Sequence, residues 1–174
     1  TINMSSLLNK VNFTKGWPSK SIVEAVLMPD SGVEIEAGFV GRRKHSNPDV
    51  WILGITAVQQ EAFIFRNDFD DPDAARASTN PTGYVQVPIG GVQGISLQNP
   101  LEIETTQYAG TPAPGDMLYA ASDGLLKIAQ LADGSMASAS KVVVASVVRG
   151  PYTIGNGSYI CVVPVAQRFV SAAS

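Results

Sequence analysis

Ala113-Pro114-Gly115-Asp116-Met117-Leu118-Tyr119-Ala120-Ala121-Ser122-Asp123-Gly124-Leu125-Leu126-Lys127-Ile128 is the stretch that decides the fold class. A Pro-Gly turn releases a strand from Asp116 to Ala121, Asp123-Gly124 reverses the chain, and Leu125 to Ile128 returns. An Asp-Gly pair supplies the positive φ angles of a tight hairpin turn at low steric cost, which makes this a strong hairpin signal. The register places Leu118 and Leu126 toward a core.

The same grain extends outward on both sides. Toward the C-terminus, strands are expected near 84–89, 92–97, 101–108, 116–121, 125–130, 141–148 and 158–165. Gly90-Gly91, Asn99-Pro100, Pro112 to Gly115, Asp123-Gly124 and Gly155-Asn156-Gly157 punctuate them. Upstream, Ile22 to Leu27 is a strand ended by the turn cluster Pro29-Asp30-Ser31-Gly32. Val33-Glu34-Ile35-Glu36-Ala37 alternates apolar and acidic residues, the period-two signature of a half-buried strand. Phe39-Val40 leads into a basic tip, Gly41-Arg42-Arg43-Lys44-His45-Ser46-Asn47-Pro48-Asp49, and Val50 to Val58 and Ala62 to Phe65 supply further strands. No stretch shows a persuasive amphipathic helix. The expected fold is all-β, a sandwich or partly closed barrel of short antiparallel strands.

Four regions follow from this reading. Residues 1–20 form an extended N-terminal arm, interrupted by Gly16 and Pro18 and carrying Val11, Phe13 and Trp17. Residues 21–67 are a β-rich N-terminal region, 68–83 a polar loop, and 84–174 a C-terminal β-domain.

Composition limits what the chain does. Its 174 residues bury a sizeable core without disulfides or metal. Apolar residues make up 45%, but charged residues only 16%, below the usual level of about 25%. So neutral a surface suits lasting contact with neighbours. A net charge of −3 argues against nucleic acid, which demands clustered Lys and Arg. No apolar stretch approaches the roughly 20 residues of a helical membrane span, so no membrane partner is expected. The polar N-terminus also lacks the apolar core of a signal peptide.

The chemistry-bearing residues are sparse. Cys161 is the only cysteine and lies in the apolar run Tyr159-Ile160-Cys161-Val162-Val163, the setting of a small buried hydrophobe. His45 is the only histidine, in the charged tip, without the spacing of a triad or zinc site. Asp68, Asp70, Asp71 and Asp73 fail the helix–loop–helix calcium pattern, since Pro72 interrupts it and no glycine follows in place. Gly90-Gly91-Val92-Gln93-Gly94 has no Lys-Ser/Thr after it, so it reads as a turn or bulge. No catalytic residue, metal site or cofactor is expected, and the chain reads as a non-enzyme.

The order Asn99-Pro100-Leu101-Glu102-Ile103, Pro114-Gly115-Asp116-Met117-Leu118-Tyr119, Asp123-Gly124-Leu125-Leu126, Val142 to Val148 and Tyr159 to Val165 resembles the capsid decoration, or cement, proteins of tailed bacteriophages. The likeness covers about residues 84 to 168, and Ala145-Ser146 stands where that family often has Val-Gly. The resemblance implies a structural virion protein on the outer surface of an assembled capsid, bridging major capsid protein subunits beside copies of itself, with trimers favoured over dimers. From the residues themselves, the arm either packs back on its own domain or orders on the capsid with Val11, Phe13 and Trp17 as anchors, and Arg42 and Arg43 are candidate contacts for an acidic partner surface. A receptor- or carbohydrate-binding module of a fibre, spike or tail is the alternative, with Tyr84, Tyr108 and Tyr152 as aromatic candidates. A small hydrolase on a β-scaffold is disfavoured for want of a nucleophile paired with a base.

Overall fold

Short runs of alternating apolar and polar residues leave this chain little but strands to build with. The computed structural model describes residues 10–15, 24–66, 91–98 and 101–172, and among them there is no helix. The strands are β1 (Val11–Lys15), β2 (Glu24–Pro29), β3 (Val40–Lys44), β4 (Asn47–Leu53), β5 (Phe63–Phe65), β6 (Val92–Ser96), β7 (Glu102–Thr105), β8 (Met117–Ala120), β9 (Leu126–Gln130), β10 (Lys141–Ile154) and β11 (Gly157–Val170). The fold is all-β. The strand expected at 84–89, the acidic loop at 68–83, Tyr84, Trp17 and the Asn99-Pro100 turn lie outside the described residues.

β2, β4, β3, β5 and β6 close into a small barrel in that order, with β2 and β4 parallel and the other pairs antiparallel. Its interior is aromatic. Trp51 is fully buried, its ring centroid 4.9 Å from that of Phe63 and 5.1 Å from that of Phe65. The indole N–H donates to the Val92 carbonyl at 2.9 Å, so the one polar atom of this large ring is satisfied. Space for it comes from Gly94, where a Cβ would sit 2.6 Å from the indole ring. Because β6 completes this closure, the barrel draws on residues past position 84, where the sequence reading began its C-terminal domain.

Two other expectations change here. Val33–Ala37 pairs with no strand, although Ile35 and Ala37 are buried while Glu34 and Glu36 are exposed. The alternation is real, but it lines a loop that lies against the core. The basic run Gly41-Arg42-Arg43-Lys44 belongs to β3 itself, paired with β4, so that only His45 and Ser46 turn the hairpin.

The second sheet has six strands, in the order β1-β7-β11-β10-β8-β9. The β8–β9 hairpin keeps the expected register, with Ala120 opposite Leu126 and with Leu118 and Leu126 buried. Its turn is longer than a two-residue reversal. Gly124 N–H bonds the Ala121 carbonyl at 2.9 Å, Ala121 N–H bonds the Leu125 carbonyl at 3.0 Å, and Gly124 alone of the Asp-Gly pair takes positive φ, at 87°. Asp116, only 3% exposed, accepts hydrogen bonds from the amides of Ala113 and Ala132, tying two loops together at the foot of the hairpin.

β10 and β11 run on for 14 residues each, past the limits expected at 148 and 158. Gly155, at φ 58°, opens a two-residue loop between Ile154 and Gly157, as a II′-type hairpin requires. The interrupting Gly150-Pro151 pair falls where the register shifts between Arg149 and Tyr152. At such an irregularity proline forfeits no ladder hydrogen bond.

Barrel and sheet share one core. Val40, Ile55, Ala62, Ile64 and Ile95 of the barrel side pack with Ile103, Leu118, Leu126, Val144 and Ile160 of the sheet. The β8–β9 turn seals the seam. Val40 N–H donates to the Gly124 carbonyl at 2.9 Å, and Ile55 N–H to the Ala120 carbonyl at 3.2 Å. A Cβ on Gly124 would lie 2.7 Å from the Phe39 ring, whereas one on Gly134, also at positive φ, would meet nothing within 4 Å. Gly134→Ala therefore costs about 1 kcal/mol of backbone strain, and Gly124→Ala about 2–4 kcal/mol once overpacking is added. Denaturant unfolding of the two variants measures the gap.

Candidate functional site

β1 brings two of the sequence-derived contact residues into the sheet. Val11 lies opposite Thr105 of β7 and Phe13 opposite Ile103, and Thr106 N–H donates to the Lys10 carbonyl at 3.0 Å. Lys15 Nζ reaches Glu102 at 3.2 Å, and Thr14 Oγ1 donates to the Glu102 carbonyl at 3.1 Å. The lysine and the hydrogen bonds hold the Glu102 carboxyl below the usual carboxylate range. Val11 is 4% exposed within the chain's own core, and Phe13 packs half-buried against the same core. Of the two arrangements open to the arm, Val11 and Phe13 take the one that packs on the chain's own domain. β1 covers the edge of β7 and lays Val11 against the buried apolar face beside it.

The basic residues of β3 part company because successive side chains on a strand point to opposite faces. Arg42 is half-buried and commits Nη1 to the carbonyls of Leu53 (3.2 Å) and Gly54 (2.5 Å). Burial lowers its pKa from the ordinary arginine value. Arg43 is exposed, donates to the Pro48 carbonyl at 3.0 Å and lies 5.7 Å from the Trp51 ring centroid and 5.9 Å from that of Phe63. It caps the barrel's aromatic core by cation–π attraction. Lys44 pairs with Asp30 at 2.7 Å, which holds that carboxyl below its usual range. A groove of about 420 Å³ runs beside this hairpin, with Arg43, His45, Pro48 and Glu61 among its walls. Arg42 and Arg43 both line this groove, the first half-buried and the second exposed.

The face of the sheet away from the barrel carries a polar cluster that the sequence reading passed over. Glu102 and Glu104 alternate with buried Ile103 along β7, and Cys161 stands opposite Glu104. The alternation Glu102-Ile103-Glu104 was the available signal. The Tyr152 hydroxyl donates to Glu104, while burial and that carboxylate push its pKa up. Cys161 is 6% exposed and its thiol lies 3.5 Å from Glu102 Oε1. Desolvation first, then the Glu102 charge, raises the thiol to about 11. A thiol so raised is a poor nucleophile at neutral pH. Among the described residues no group of three or more His, Cys, Asp or Glu side chains is placed to hold a metal ion.

One surface feature combines exposed apolar side chains with a long hairpin. β8 pairs with β10 only over Val143–Ser146, and β7 with β11 only over Ile160–Val162. Beyond them β10 and β11 continue as a two-stranded ribbon toward Gly155. Val148 and Ile154 on it are 47% and 43% exposed. Close to its tip it is held to the body by the Tyr108 and Ser158 hydroxyls at 2.8 Å, with Arg149 stacked 4.0 Å over Tyr152. No family model, curated protein or solved structure matches the chain.

Two outcomes follow from this geometry. Val11→Ala should lower unfolding free energy by about 1–3 kcal/mol, since it removes buried methyl groups where β1 meets the core. Cys161 supplies the second. Below pH 9 the thiol is protonated both folded and unfolded, so it adds no pH dependence. Between its ordinary 9.0 and about 11 only the unfolded chain releases the proton, and folded-state stability falls as pH rises. Denaturant unfolding from pH 8.5 to 11 should show the unsubstituted protein losing up to about 2 kcal/mol more than Cys161→Ala.

Proposed function

We propose that the protein is a structural virion component that binds the outer surface of an assembled phage capsid and bridges major capsid protein subunits there. The observation that carries this reading is the pair of exposed apolar side chains on the β10–β11 hairpin, Val148 and Ile154. Large apolar side chains left in water gain when another surface covers them. The ribbon thereby takes over the docking role that was open to the arm. Support comes also from the likeness of residues 84–168 to capsid decoration proteins, and from a charged content of only 16%. Binding repeated over many copies needs no active site, because each further contact on the same particle is made at high effective concentration. Neighbouring copies of the chain, as trimers in preference to dimers, complete the proposal.

Co-sedimentation with undecorated capsids tests it. The protein should pellet with the particles, and a Val148→Asp, Ile154→Asp double variant should bind at least about tenfold more weakly. Both positions are exposed, so the variant should keep its stability within about 0.5 kcal/mol per site. Failure of the unsubstituted protein to pellet, or unweakened binding by the variant, overturns the proposal.

A further inference from the structure

A cleft of about 510 Å³ opens at the seam between barrel and sheet, within the size range of small-molecule sites. Three cations line it, Arg42 from β3, Lys127 from β9 and Lys141 from the start of β10, and no Asp or Glu is among its described lining residues. The chain has net charge −3 and 12 Lys and Arg in all, and three of those cations meet here. Two of the cations are fixed in place. Arg42 is held by the carbonyls of Leu53 and Gly54, and Lys127 by Asp123 at 2.9 Å. Lys141 makes no ion pair among the described residues, and its Nζ lies 4.9 Å from the centroid of the Tyr119 ring. The hydroxyl residues Thr56, Ser122 and Ser140 also line the cleft, and the Phe169 ring on the same wall is 58% exposed.

We propose that this cleft binds a small anionic sugar, one carrying a carboxylate or a sulfate on its ring. Cations alone would suit any anion, but the hydroxyls match a polyol edge, and the flat rings of Tyr119 and Phe169 offer faces on which the C–H side of a sugar lies. A neutral sugar leaves Lys141, which makes no ion pair among the described residues, without a counter-charge. An extended polyanion such as nucleic acid needs a longer basic track than this single cleft. The site stands on the barrel–sheet seam and owes nothing to the ribbon, so it holds whether or not the capsid reading does.

The test is a titration of the isotopically labelled full chain followed by amide NMR, with glucuronate, glucose 6-sulfate, glucose, acetate and inorganic sulfate as separate probes. Saturable shifts around Thr56, Ser122 and Lys141 are expected with the two anionic sugars, and none with glucose. Acetate and sulfate should bind at least about tenfold more weakly than the sugars that carry the same groups. Lys141→Gln should weaken the anionic sugars by about tenfold through loss of a charge-assisted contact, and raised salt should do the same. Phe169→Ala, at an exposed position that leaves the fold intact, should weaken them several-fold. The proposal is overturned by no saturable shift with either anionic sugar, by acetate or sulfate binding as tightly as the sugars, or by affinity unchanged in both variants.

Discussion

The contact on which the rest of the structure depends is the meeting of the Gly124 turn with Phe39 and Val40. A closed barrel has no edge to offer a neighbour, so the six-stranded sheet joins it only by burying a face against it. That face is apolar through Ile103, Leu118, Leu126 and Ile160, and the shared cluster it forms with Val40, Ile64 and Ile95 makes one core of two sheets. The turn must approach within backbone hydrogen-bonding distance of Val40, and the Phe39 ring leaves no room for a side chain at Gly124. Position 124 therefore answers two demands at once, left-handed backbone and absent Cβ.

Polar groups inside this arrangement are answered locally. Asp116 binds two loop amides, the Trp51 indole binds a β6 carbonyl, and Arg42 binds two carbonyls at the end of β4. Among the described residues no buried side-chain nitrogen or oxygen lacks a partner. Each of these groups therefore escapes the desolvation cost of an unmade bond. Arg42 illustrates how the same side chain serves two ends, bracing the barrel while lending its charge to the cleft beside it.

The sequence showed the fold more readily than the surface. Asp116 to Ile128 was legible because turn chemistry and apolar spacing there agree, and the buried pair Leu118 and Leu126 follows from them. The ribbon was read too short because Gly150-Pro151 resembles a terminus, and only pairing with β11 shows it to be a register shift. Val11 and Phe13 stayed ambiguous for a different reason. Five residues alone hold too little apolar surface to specify a partner, and β1's partner, β7, lies far along the chain. Arg42 and Arg43 look equivalent as letters, yet strand alternation sends one to the seam and the other over Trp51. The cleft was beyond sequence reading, since Arg42, Lys127 and Lys141 converge only when barrel and sheet meet.

The pairing of β1 with β7 also sets the order in which the molecule assembles. Thr14 and Glu102, which bond across that pair, are 88 positions apart, whereas β10 and β11 are joined by a two-residue loop. Closing the short loop costs little chain entropy, so the ribbon and its neighbours zip early, while β1, with its distant partner, docks late. Until it does, β7 is an open sheet edge. The strand that fits this edge is present on every copy of the chain, so in concentrated solution another molecule's β1 competes for the slot. Dilute refolding favours the self-paired monomer, and crowded refolding favours strand-exchanged pairs that carry the same contacts.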